Sequence, residues 1–502
     1  MNALRLALIH LDVKHAQPQV NRRALLDSIG RAGKAGAQLI VAPEMAVSGY
    51  SFDSREAIAP FAEQTDGPTL TAVSELARSY GAYICIGLAL TANDTGIFTN
   101  AVVAVDPQGR QVCRYHKINA ESRWACPGNP QQDNTFDTPW GRVGVLICSD
   151  TYYGLMPRIT ALRGADLLLV PANWPPTGLN PLELWRARAL ENGIFLAACN
   201  RTGIDRTLDC RQALSCVSDP QGHLLLEGKT GNSRVFLFDL PLAPDGRLES
   251  RNRRHCMANR GPQHCHDSYL NMRPIQDLTS FLELPQPGRL DLHCLVPGKN
   301  EHPVDALLRK VPTRTDEARH LYLLPSPADS DAALERVAQT ALGHKVAVAV
   351  CSSNDAGHRY HLFKDDGENL RWNLPPWPFA NGTSVPYADL GPARLFMTPF
   401  SALSHPEFAV AIAKKGCDLA IACEKELSAD NRLLAGARTI ENLAVAVSSG
   451  SGAGIWLPPE GHQRWTETTA AIGESCHLAI DTRRTRQKRF QDRVDFEVLL
   501  RR

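Results

Sequence analysis

The sequence predicts an α/β protein in which helices cover largely buried β-sheets. Short apolar segments bounded by Gly, Pro, Asn or Asp alternate with segments whose apolar residues recur at helical spacing. In places, two strand-like segments follow one another directly and can form hairpins. The second half of the chain also repeats sequence patterns of the first half. Together these observations indicate stacked layers of helix and sheet.

Length and composition bound the class of protein. The chain has 502 residues, 43% hydrophobic and 21% charged, which is typical of a globular protein with two or more domains. The formal net charge of +1 gives no reason to expect nucleic acid or an anionic membrane as a partner. No apolar run reaches the roughly 20 residues of a membrane helix, and the amino terminus lacks a signal-peptide pattern. Because the fourteen cysteines are scattered, we expect free thiols in a reducing, cytoplasmic compartment.

Each element of the first half follows from a local pattern. Strand candidates are apolar runs that end at Pro, Gly or Asn, and helix candidates repeat apolar residues every three or four positions. The expected helices span residues 20–37, 69–80, 156–163 and 181–192. The expected strands span residues 4–11, 39–42, 83–90, 100–105, 143–147, 165–171 and 194–200, followed by a hairpin over 215–228.

Three polar residues stand at the ends of predicted strands. Glu44 lies just past the strand 39–42, where a carboxylate is either hydrogen-bonded within the fold or takes part in chemistry. Lys117 leaves a strand, although a surface lysine is the simpler interpretation. Cys148 ends the run 143–147, and ligands bind at this end of strands in open α/β sheets. A buried free cysteine is often only part of the core, so its reactivity depends on its surroundings.

Three segments together resemble motifs of the carbon–nitrogen hydrolase (nitrilase) superfamily. APEMAVSGY resembles its glutamate motif, RYHKIN its lysine motif and VGVLICSDTYY its cysteine motif, in matching order and spacing. The likeness continues through GADLLLVPANWP, RARALENGIFLAACN and VSDPQG, and covers roughly residues 4–240. The resemblance implies an αββα sandwich, in which two sheets pack face to face between helical layers. It also implies that Glu44, Lys117 and Cys148 form a catalytic triad.

Amide hydrolysis suits these residue types. A covalent thioester splits the hydrolysis of an unreactive amide into two easier steps. Cys148 would attack as the thiolate, while Glu44 accepts its proton and later protonates the departing amine. Lys117 and the backbone N–H after the nucleophile would stabilise the oxyanion. We also expect the ammonium to lower the pKa of the thiol, and burial to raise the pKa of the carboxylate.

The resemblance also implies further site residues. Glu121, which precedes a Pro-Gly pair, matches a second active-site glutamate of the family. Arg188 and Glu191 match a structural helix and are interpreted as a buried or partly buried ion pair. Four residues are candidate walls of the substrate pocket, although packing of aromatic rings at its rim is an equally good interpretation. These substrate-binding candidates are Tyr152, Tyr153, Asn173 and Trp174.

The second half resembles a degenerate copy of the first. RARALENGIFLAA corresponds to AGARTIENLAVAV, and GADLLLVPA to GCDLAIACE. We therefore predict a catalytic domain over residues 1–284, including a loop-rich bridge from about residue 242, and a degenerate domain over residues 285–502. Because family members are generally dimers of such sandwiches, the tandem would form an internal pseudo-dimer, with further homo-oligomers left open. In the second domain the triad positions fall on Ser326, Pro375 and Thr398, which supply no base, ammonium or thiol.

Two further signals are interpreted as structural. Histidines and cysteines cluster in the bridge, but their spacing fits no zinc template, so we expect a polar loop and no metal site. The basic segment 481–502 is interpreted as a solvated tail, or as an arm across the other unit, in preference to a nucleic-acid contact. The cluster consists of His255, Cys256, His264, Cys265 and His266.

The favoured function is thiol-dependent hydrolysis of a small carboxamide or N-carbamoyl compound, with release of ammonia and with no cofactor. The Cys-x-Asp pattern that ends at Asp150 resembles amidase and carbamoylase branches, whereas nitrilases more often carry Trp-Glu there. Hydrolysis of a nitrile by the same triad is the alternative within the enzyme class. A non-catalytic scaffold or binding protein is the alternative outside it.

Overall fold

The computed structural model describes residues 3–92, 95–311, 319–325, 331–488 and 490–501. The chain divides into two units, one formed by Met1–Met257 with Arg493–Leu499 and the other by Ala258–Asp492 with Leu500–Arg502. This division falls within the predicted bridge, and a domain boundary between residues 284 and 285 stays a prediction. No helix in the described ranges is long and apolar enough to cross a membrane.

The strands of the first unit form two six-stranded sheets within the described residues, in the orders β12-β1-β2-β3-β4-β5 and β11-β10-β9-β8-β7-β6. The strands β1–β3 run parallel in the first sheet, as do β7–β9 in the second, and their neighbours are antiparallel. The strands are β1 (Ala3–His10), β2 (Leu39–Val41), β3 (Tyr83–Thr91), β4 (Phe98–Val105), β5 (Gln111–His116), β6 (Thr135–Thr138), β7 (Gly141–Val145), β8 (Leu167–Pro171), β9 (Phe195–Cys199), β10 (Ser215–Ser218), β11 (Leu224–Gly228) and β12 (Arg234–Pro241).

Helices cover the outer faces of both sheets in this unit. Two of them begin at Pro18 and Pro68, whose fixed φ suits a first helical turn. Another ends at Gly193, which takes the left-handed conformation that a helix end favours. The helices are α1 (Pro18–Lys34), α2 (Arg55–Ile58), α3 (Pro68–Tyr80), α4 (Leu155–Leu162), α5 (Pro181–Asn192) and α6 (Arg251–Ala258).

The layers follow from which apolar faces meet. Leu25 of α1 and Val73 of α3 belong to one buried cluster with Ile40 and Ile84 of the first sheet. The opposite face of that sheet meets the second sheet, because the Cys199 thiol on β9 contacts carbonyl oxygens of β1 and β2 at 3.3 and 3.2 Å. Helices α4 and α5 pack against the second sheet. The first unit is therefore an αββα sandwich, as the resemblance implies.

The second unit repeats this topology. Its sheets have the orders β17-β16-β15-β14-β13-β24 and β18-β19-β20-β21-β22-β23 within the described residues, and one buried apolar cluster joins their inner faces. The strands are β13 (Arg289–Leu295), β14 (Arg319–Pro325), β15 (Ala347–Asn354), β16 (Gly357–Phe363), β17 (Asn369–Leu374), β18 (Tyr387–Leu390), β19 (Ala393–Pro399), β20 (Leu419–Cys423), β21 (Ala444–Ser448), β22 (Gly452–Leu457), β23 (Thr466–Ala471) and β24 (Ser475–Asp481).

The remaining helices complete the chain. Helix α14 lies within the part of the chain that belongs to the first unit. The helices are α7 (Leu278–Phe281), α8 (Pro303–Lys310), α9 (Asp331–His344), α10 (Phe400–Leu403), α11 (Pro406–Lys414), α12 (Ala429–Thr439), α13 (Thr482–Thr485) and α14 (Phe496–Leu499).

The structure confirms two αββα units in tandem and corrects details of the predicted elements. The strand before Cys148 ends at Val145, so the two residues that follow belong to the bend that carries the thiol. The bridge is not only loop, since α6 lies in it. Two basic residues of the predicted tail are held within the fold: Arg486 forms an ion pair with Asp418 at 3.1 Å, and Lys488 donates to two backbone carbonyls.

Candidate active site

Cys148 lies at a sharp bend between strand and helix. It begins a single 3₁₀ turn, Cys148–Thr151, directly after the bend that follows β7. Its φ of +46° lies in the left-handed region, which costs a non-glycine residue energy and is often found at functional sites. The residue is 6% exposed. This geometry places the thiol at the carboxyl end of the parallel strands of the second sheet.

Glu44 receives three hydrogen bonds through its fully buried carboxylate. Its Oε1 accepts from the Lys117 ammonium at 2.6 Å and from Asn100 Nδ2 at 2.7 Å. Its Oε2 accepts from the backbone N–H of Asn173 at 2.9 Å. The Asn173 side chain in turn donates to the Glu44 carbonyl oxygen at 2.7 Å. These contacts fix both oxygens of the carboxylate between the two sheets.

Lys117 is a buried cation in this site and not a surface residue. Its side chain is 1% exposed, and its Nζ lies 5.5 Å from the centre of the Tyr50 ring. Burial lowers the pKa of Lys117, but Glu44 and, to a smaller extent, Tyr50, Cys148 and Asp150 together raise it by more, so the net pKa lies well above its usual value. Lys117 therefore stays positively charged at neutral pH.

The thiol of Cys148 lies close enough to these two charges that both act on its pKa. The Lys117 ammonium lowers the pKa of this thiol, as predicted, but this effect does not set the net direction of the pKa shift. Burial and the Glu44 carboxylate raise the pKa by more than Lys117 lowers it. The resting site thus contains a neutral thiol, a carboxylate and an ammonium, and attack by sulfur requires that the thiol first lose its proton.

Glu121 lies near this cluster but has other partners. Its carboxylate accepts hydrogen bonds from Arg123 at 3.0 and 3.1 Å, and these lower its pKa, with a smaller contribution from Lys117. The side chain is 20% exposed. A catalytic role for Glu121 stays a prediction.

The aromatic candidates for the substrate pocket form a connected set of rings. Tyr152 contacts Tyr153 edge-on, with the ring centres 5.0 Å apart, and stacks on Trp174 at 6.3 Å. All three are partly exposed. Asn173 is 4% exposed and differs from them, because both its backbone and its side chain hydrogen-bond to Glu44. Its observed contacts therefore support the carboxylate.

Arg188 and Glu191 form a fully buried ion pair at 2.9 Å, as predicted. Arg188 also donates to the carbonyl oxygens of Thr151 at 2.9 Å and Tyr152 at 2.6 Å. The pair therefore holds the end of the turn that begins at Cys148.

The site also contains residues that the sequence motifs did not predict as part of it. Asn100 contacts the Glu44 carboxylate, yet in the sequence it looks like an ordinary polar residue of a strand. Tyr50 stands in the glutamate motif, which is a signal for its position over Lys117. Asp150 was used only to distinguish branches of the family, although its carboxylate is fully buried in the turn that Cys148 begins.

No cluster in the described part of the chain brings together three His, Cys, Asp or Glu residues in a geometry that can hold a metal ion. Within the predicted polar loop, His264 packs its ring against Trp377 and Phe379, with ring centres 5.7 and 5.3 Å away. This part of the bridge therefore takes part in aromatic packing.

Matching contacts define equivalent positions in the two units. In the first unit, the backbone N–H of Arg142 donates to the Asp166 carboxylate at 3.1 Å. In the second unit, Arg394 makes the same bond with Asp418 at 2.9 Å. Each arginine lies at the start of its strand, and each aspartate precedes the parallel neighbour of that strand. Arg142 and Arg394 are therefore equivalent.

This equivalence corrects the predicted counterpart of Cys148. Counting forward from the two arginines matches Cys148 with Phe400, and not with Thr398. Phe400 also begins the helical turn after its strand, as Cys148 does. The prediction was wrong because the correspondence is set by the register of β7 with β8 and of β19 with β20, which the sequence alone does not give. Pro375, the predicted counterpart of Lys117, directly follows β17, as Lys117 follows β5. Ser326, the predicted counterpart of Glu44, lies outside the described residues.

Comparison with known proteins gives consistent matches. A family model for carbon-nitrogen hydrolases matches residues 5–244. A nitrilase of Pyrococcus abyssi is 30% identical over 256 residues, which cover 50% of this chain and 95% of the relative. The omega-amidase NIT2 of Homo sapiens is 29% identical over 250 residues, covering 47% of this chain and 88% of the relative. Among solved structures, an amidase from Nesterenkonia sp. matches with 25% identity and a TM-score of 0.43, covering 52% of this chain and 97% of that chain.

Proposed function

The chain belongs to the carbon–nitrogen hydrolase family and is an amidase-like hydrolase, and from this premise we propose that its first unit hydrolyses a small carboxamide or N-carbamoyl compound through a thioester on Cys148. The observation that carries the proposal is the buried cluster in which Glu44 contacts the Lys117 ammonium at 2.6 Å and both charges act on the buried thiol of Cys148. A base, a cation and a nucleophile within one buried cluster are what acyl transfer to sulfur requires.

The first step forms the thioester. The raised pKa of Cys148 means that its thiol carries a proton before the reaction. Glu44 accepts this proton as the sulfur bonds to the carbonyl carbon of the substrate. Glu44 then gives this proton to the nitrogen of the tetrahedral intermediate. The carbon–nitrogen bond breaks, ammonia leaves, and the acyl group stays on sulfur.

The second step returns the enzyme to its starting state. Glu44 accepts a proton from water, and the oxygen of that water bonds to the thioester carbonyl carbon. The carbon–sulfur bond then breaks, and the proton on Glu44 passes to the sulfur of Cys148. The acid product leaves, and the thiol and the carboxylate are restored.

Both steps develop negative charge on the carbonyl oxygen. Lys117 stays protonated because its pKa is raised, so it presents a permanent positive charge beside the reacting carbon. The backbone N–H of Ser149, directly after the nucleophile, is the second donor that we assign to this oxygen. Removing one such donor typically slows turnover by about 100-fold to 1,000-fold.

We infer the substrate class from the sequence around Cys148 and from the names of the relatives. The Cys-x-Asp pattern favours amides and N-carbamoyl compounds, and the human relative is named an omega-amidase. The relative from Pyrococcus abyssi is named a nitrilase, so hydrolysis of an organic nitrile is the second candidate. The partly exposed rings of Tyr152, Tyr153 and Trp174 are the pocket walls that we propose for either substrate.

Ammonia release from a panel of aliphatic amides, N-carbamoyl amino acids and nitriles tests the proposal. We expect turnover of at least one amide or carbamoyl compound, and its loss in Cys148→Ala. The matched control is Cys126→Ala, which removes an exposed thiol of the same unit and leaves turnover unchanged. If no compound is turned over and iodoacetamide does not modify Cys148, the scaffold alternative replaces the proposal. Turnover of nitriles alone would replace the substrate class.

A further inference from the structure

Asp150 connects the turn that carries Cys148 with the segment that carries Lys117. Its carboxylate is fully buried. Oδ1 accepts the backbone N–H of Asn119 at 2.7 Å, and Oδ2 accepts the Tyr115 hydroxyl at 2.9 Å. Oδ2 also receives a longer hydrogen bond from the backbone N–H of Ile147 at 3.4 Å. One carboxylate thus takes donors from two distant parts of the chain.

These donors flank the two reacting side chains in the sequence. Tyr115 and Asn119 stand on either side of Lys117, and Ile147 immediately precedes Cys148. A second pair of bonds parallels the first, because the Asn119 side chain donates to the Ser149 carbonyl at 3.1 Å and the Ser149 hydroxyl donates to the Asn119 carbonyl at 3.3 Å. The two segments are therefore joined by two sets of hydrogen bonds.

A buried carboxylate is costly unless it is paired and hydrogen-bonded, so its presence here calls for a reason. The charged groups around Asp150 are the Lys117 ammonium and, beyond it, Glu44, while Tyr115 faces it as a neutral donor. Burial raises the pKa of Asp150 to about 6, against the lowering effect of Lys117 and of its hydrogen bonds. At neutral pH the group is ionised, and the charges of both Asp150 and Glu44 act on Lys117.

We propose that Asp150 is a positioning residue whose ionised carboxylate holds the segment that carries Lys117 at a fixed place relative to the turn that carries Cys148. The inference rests on the proposed function. It assigns Asp150 no contact with substrate, so its removal changes the rate of the chemical steps and not the affinity for substrate. Turnover falls when Asp150 takes up a proton, because a neutral carboxyl group binds the Tyr115 and Asn119 donors more weakly.

The test measures kcat, KM and the pH profile of kcat for Asp150→Asn. We expect kcat to fall by about 100-fold, since a displacement of about 1 Å at a reacting group has an effect of this size. KM stays within a few-fold of the wild-type value. In the wild type, kcat should fall below about pH 6 as Asp150 takes up a proton. This fall should be absent from Asp150→Asn, which has no carboxyl group at this position. The matched control is Asp106→Asn, which alters another buried, hydrogen-bonded aspartate at the opposite end of β4 from Asn100 and leaves the pH profile unchanged.

Tyr115→Phe is the second variant and keeps the carboxylate in place. It removes one hydrogen bond that lowers the pKa of Asp150, so the acidic fall of kcat moves to higher pH. The inference is overturned if both folded variants keep the wild-type kcat and pH profile, or if Asp150→Asn raises KM alone. If Asp150→Asn does not fold, Tyr115→Phe alone tests the inference. A move of the acidic fall of kcat to higher pH supports it, and an unchanged profile or a move to lower pH overturns it. Loss of turnover in Cys148→Ala, measured in parallel, separates failure of this inference from failure of the proposed function.

Discussion

At the residue scale, the space around Glu44 is limited by a glycine on the neighbouring strand. A Cβ at Gly87 would lie 2.6 Å from the Glu44 Cα and 2.7 Å from the Pro43 carbonyl oxygen. Both are backbone atoms, which cannot turn aside as the tip of a side chain can. Only glycine therefore allows β3 to approach the Glu44 peptide this closely.

We expect Gly87→Ala to displace Glu44 and so to lower both stability and turnover. Overpacking of this kind typically costs about 1–3 kcal/mol in the free energy of unfolding. A displaced carboxylate no longer meets Lys117 and Cys148, so kcat/KM should fall by roughly 100-fold. Urea unfolding and steady-state kinetics measure the two effects. Gly231→Ala is the control, because a Cβ there meets nothing within 4 Å. Wild-type kinetics in Gly87→Ala would contradict the close approach of β3.

Asp150 also makes the stability of the first unit depend on pH. Its folded pKa of about 6 lies above the usual value of 3.8, so between these pH values the folded chain keeps a proton that the unfolded chain has lost. The contribution to stability is therefore complete below about pH 4 and disappears as pH rises through about 6. From the difference between the two pKa values it amounts to about 3 kcal/mol.

We expect Asp150→Asn to remove this part of the pH dependence. Urea unfolding of both proteins at several pH values between 4 and 7 measures the difference in their free energies of unfolding. As pH rises across this range, the wild-type protein should lose stability relative to Asp150→Asn, because only the wild type has the carboxyl group that titrates. A constant difference would mean that the carboxyl group titrates alike in the folded and unfolded chains.

At the element scale, α14 is tied to the helix that follows the nucleophile turn. Arg163, at the end of α4, forms an ion pair with Asp495 at 2.8 Å, and both side chains are about nine-tenths buried. Arg163 also donates to the carbonyl oxygen of Gln132 at 2.6 Å. The last segment of the chain therefore takes part in the structure of the first unit.

We expect Asp495→Ala to lower the free energy of unfolding of the first unit by about 2 kcal/mol, because it removes a charged hydrogen-bond partner of a buried guanidinium. The control is Asp239→Ala, which breaks an ion pair of similar length to Arg5 whose side chains are half exposed. Exposed pairs of this kind contribute about 0–1 kcal/mol. Thermal unfolding measures the loss of stability in Asp495→Ala and in Asp239→Ala. Equal losses would contradict the claim that the buried ion pair contributes more than the exposed one.

Local patterns were sufficient to predict most elements of the first unit. The predicted helix 181–192 has the observed bounds, and the predicted strand 83–90 differs from β3 by one residue. Helix α6 escaped prediction because its sequence is polar and none of its residues is buried, so no apolar period marks it. The counterpart of Cys148 was misplaced because it depends on strand register, which is set by contacts such as that of Arg394 with Asp418.

The site was predictable in residue type but not in electrostatic balance. The motifs brought Glu44, Lys117 and Cys148 to attention by their order along the chain. The net direction of the thiol pKa depends on burial against the charges of its neighbours, and these become known only when the packing is known. Asn100 escaped for the same reason, since its contact with Glu44 joins residues that are far apart in the sequence.

At the scale of the whole molecule, two units share one topology but differ at the position of the nucleophile. The second unit has Phe400 at the position of Cys148. Pro375 comes directly after β17, as Lys117 comes directly after β5 in the first unit. Phenylalanine has no nucleophilic atom, and proline has no cation to stabilise an oxyanion. The internal pseudo-dimer stays a prediction, whereas the loss of these side chains already limits the chemistry of the second unit.

We therefore expect one acyl group per chain. Quenching in acid during turnover of the best amide traps the thioester, and the mass of the intact protein then gives the number of acyl groups. Digestion should place the single modification on the peptide that contains Cys148, and Cys148→Ala should carry none. Buried thiols such as Cys351, Cys417 and Cys423 in the second unit provide an internal control. Two acyl groups per chain, or one on any cysteine after residue 257, would mean that the second unit retains its own acyl chemistry.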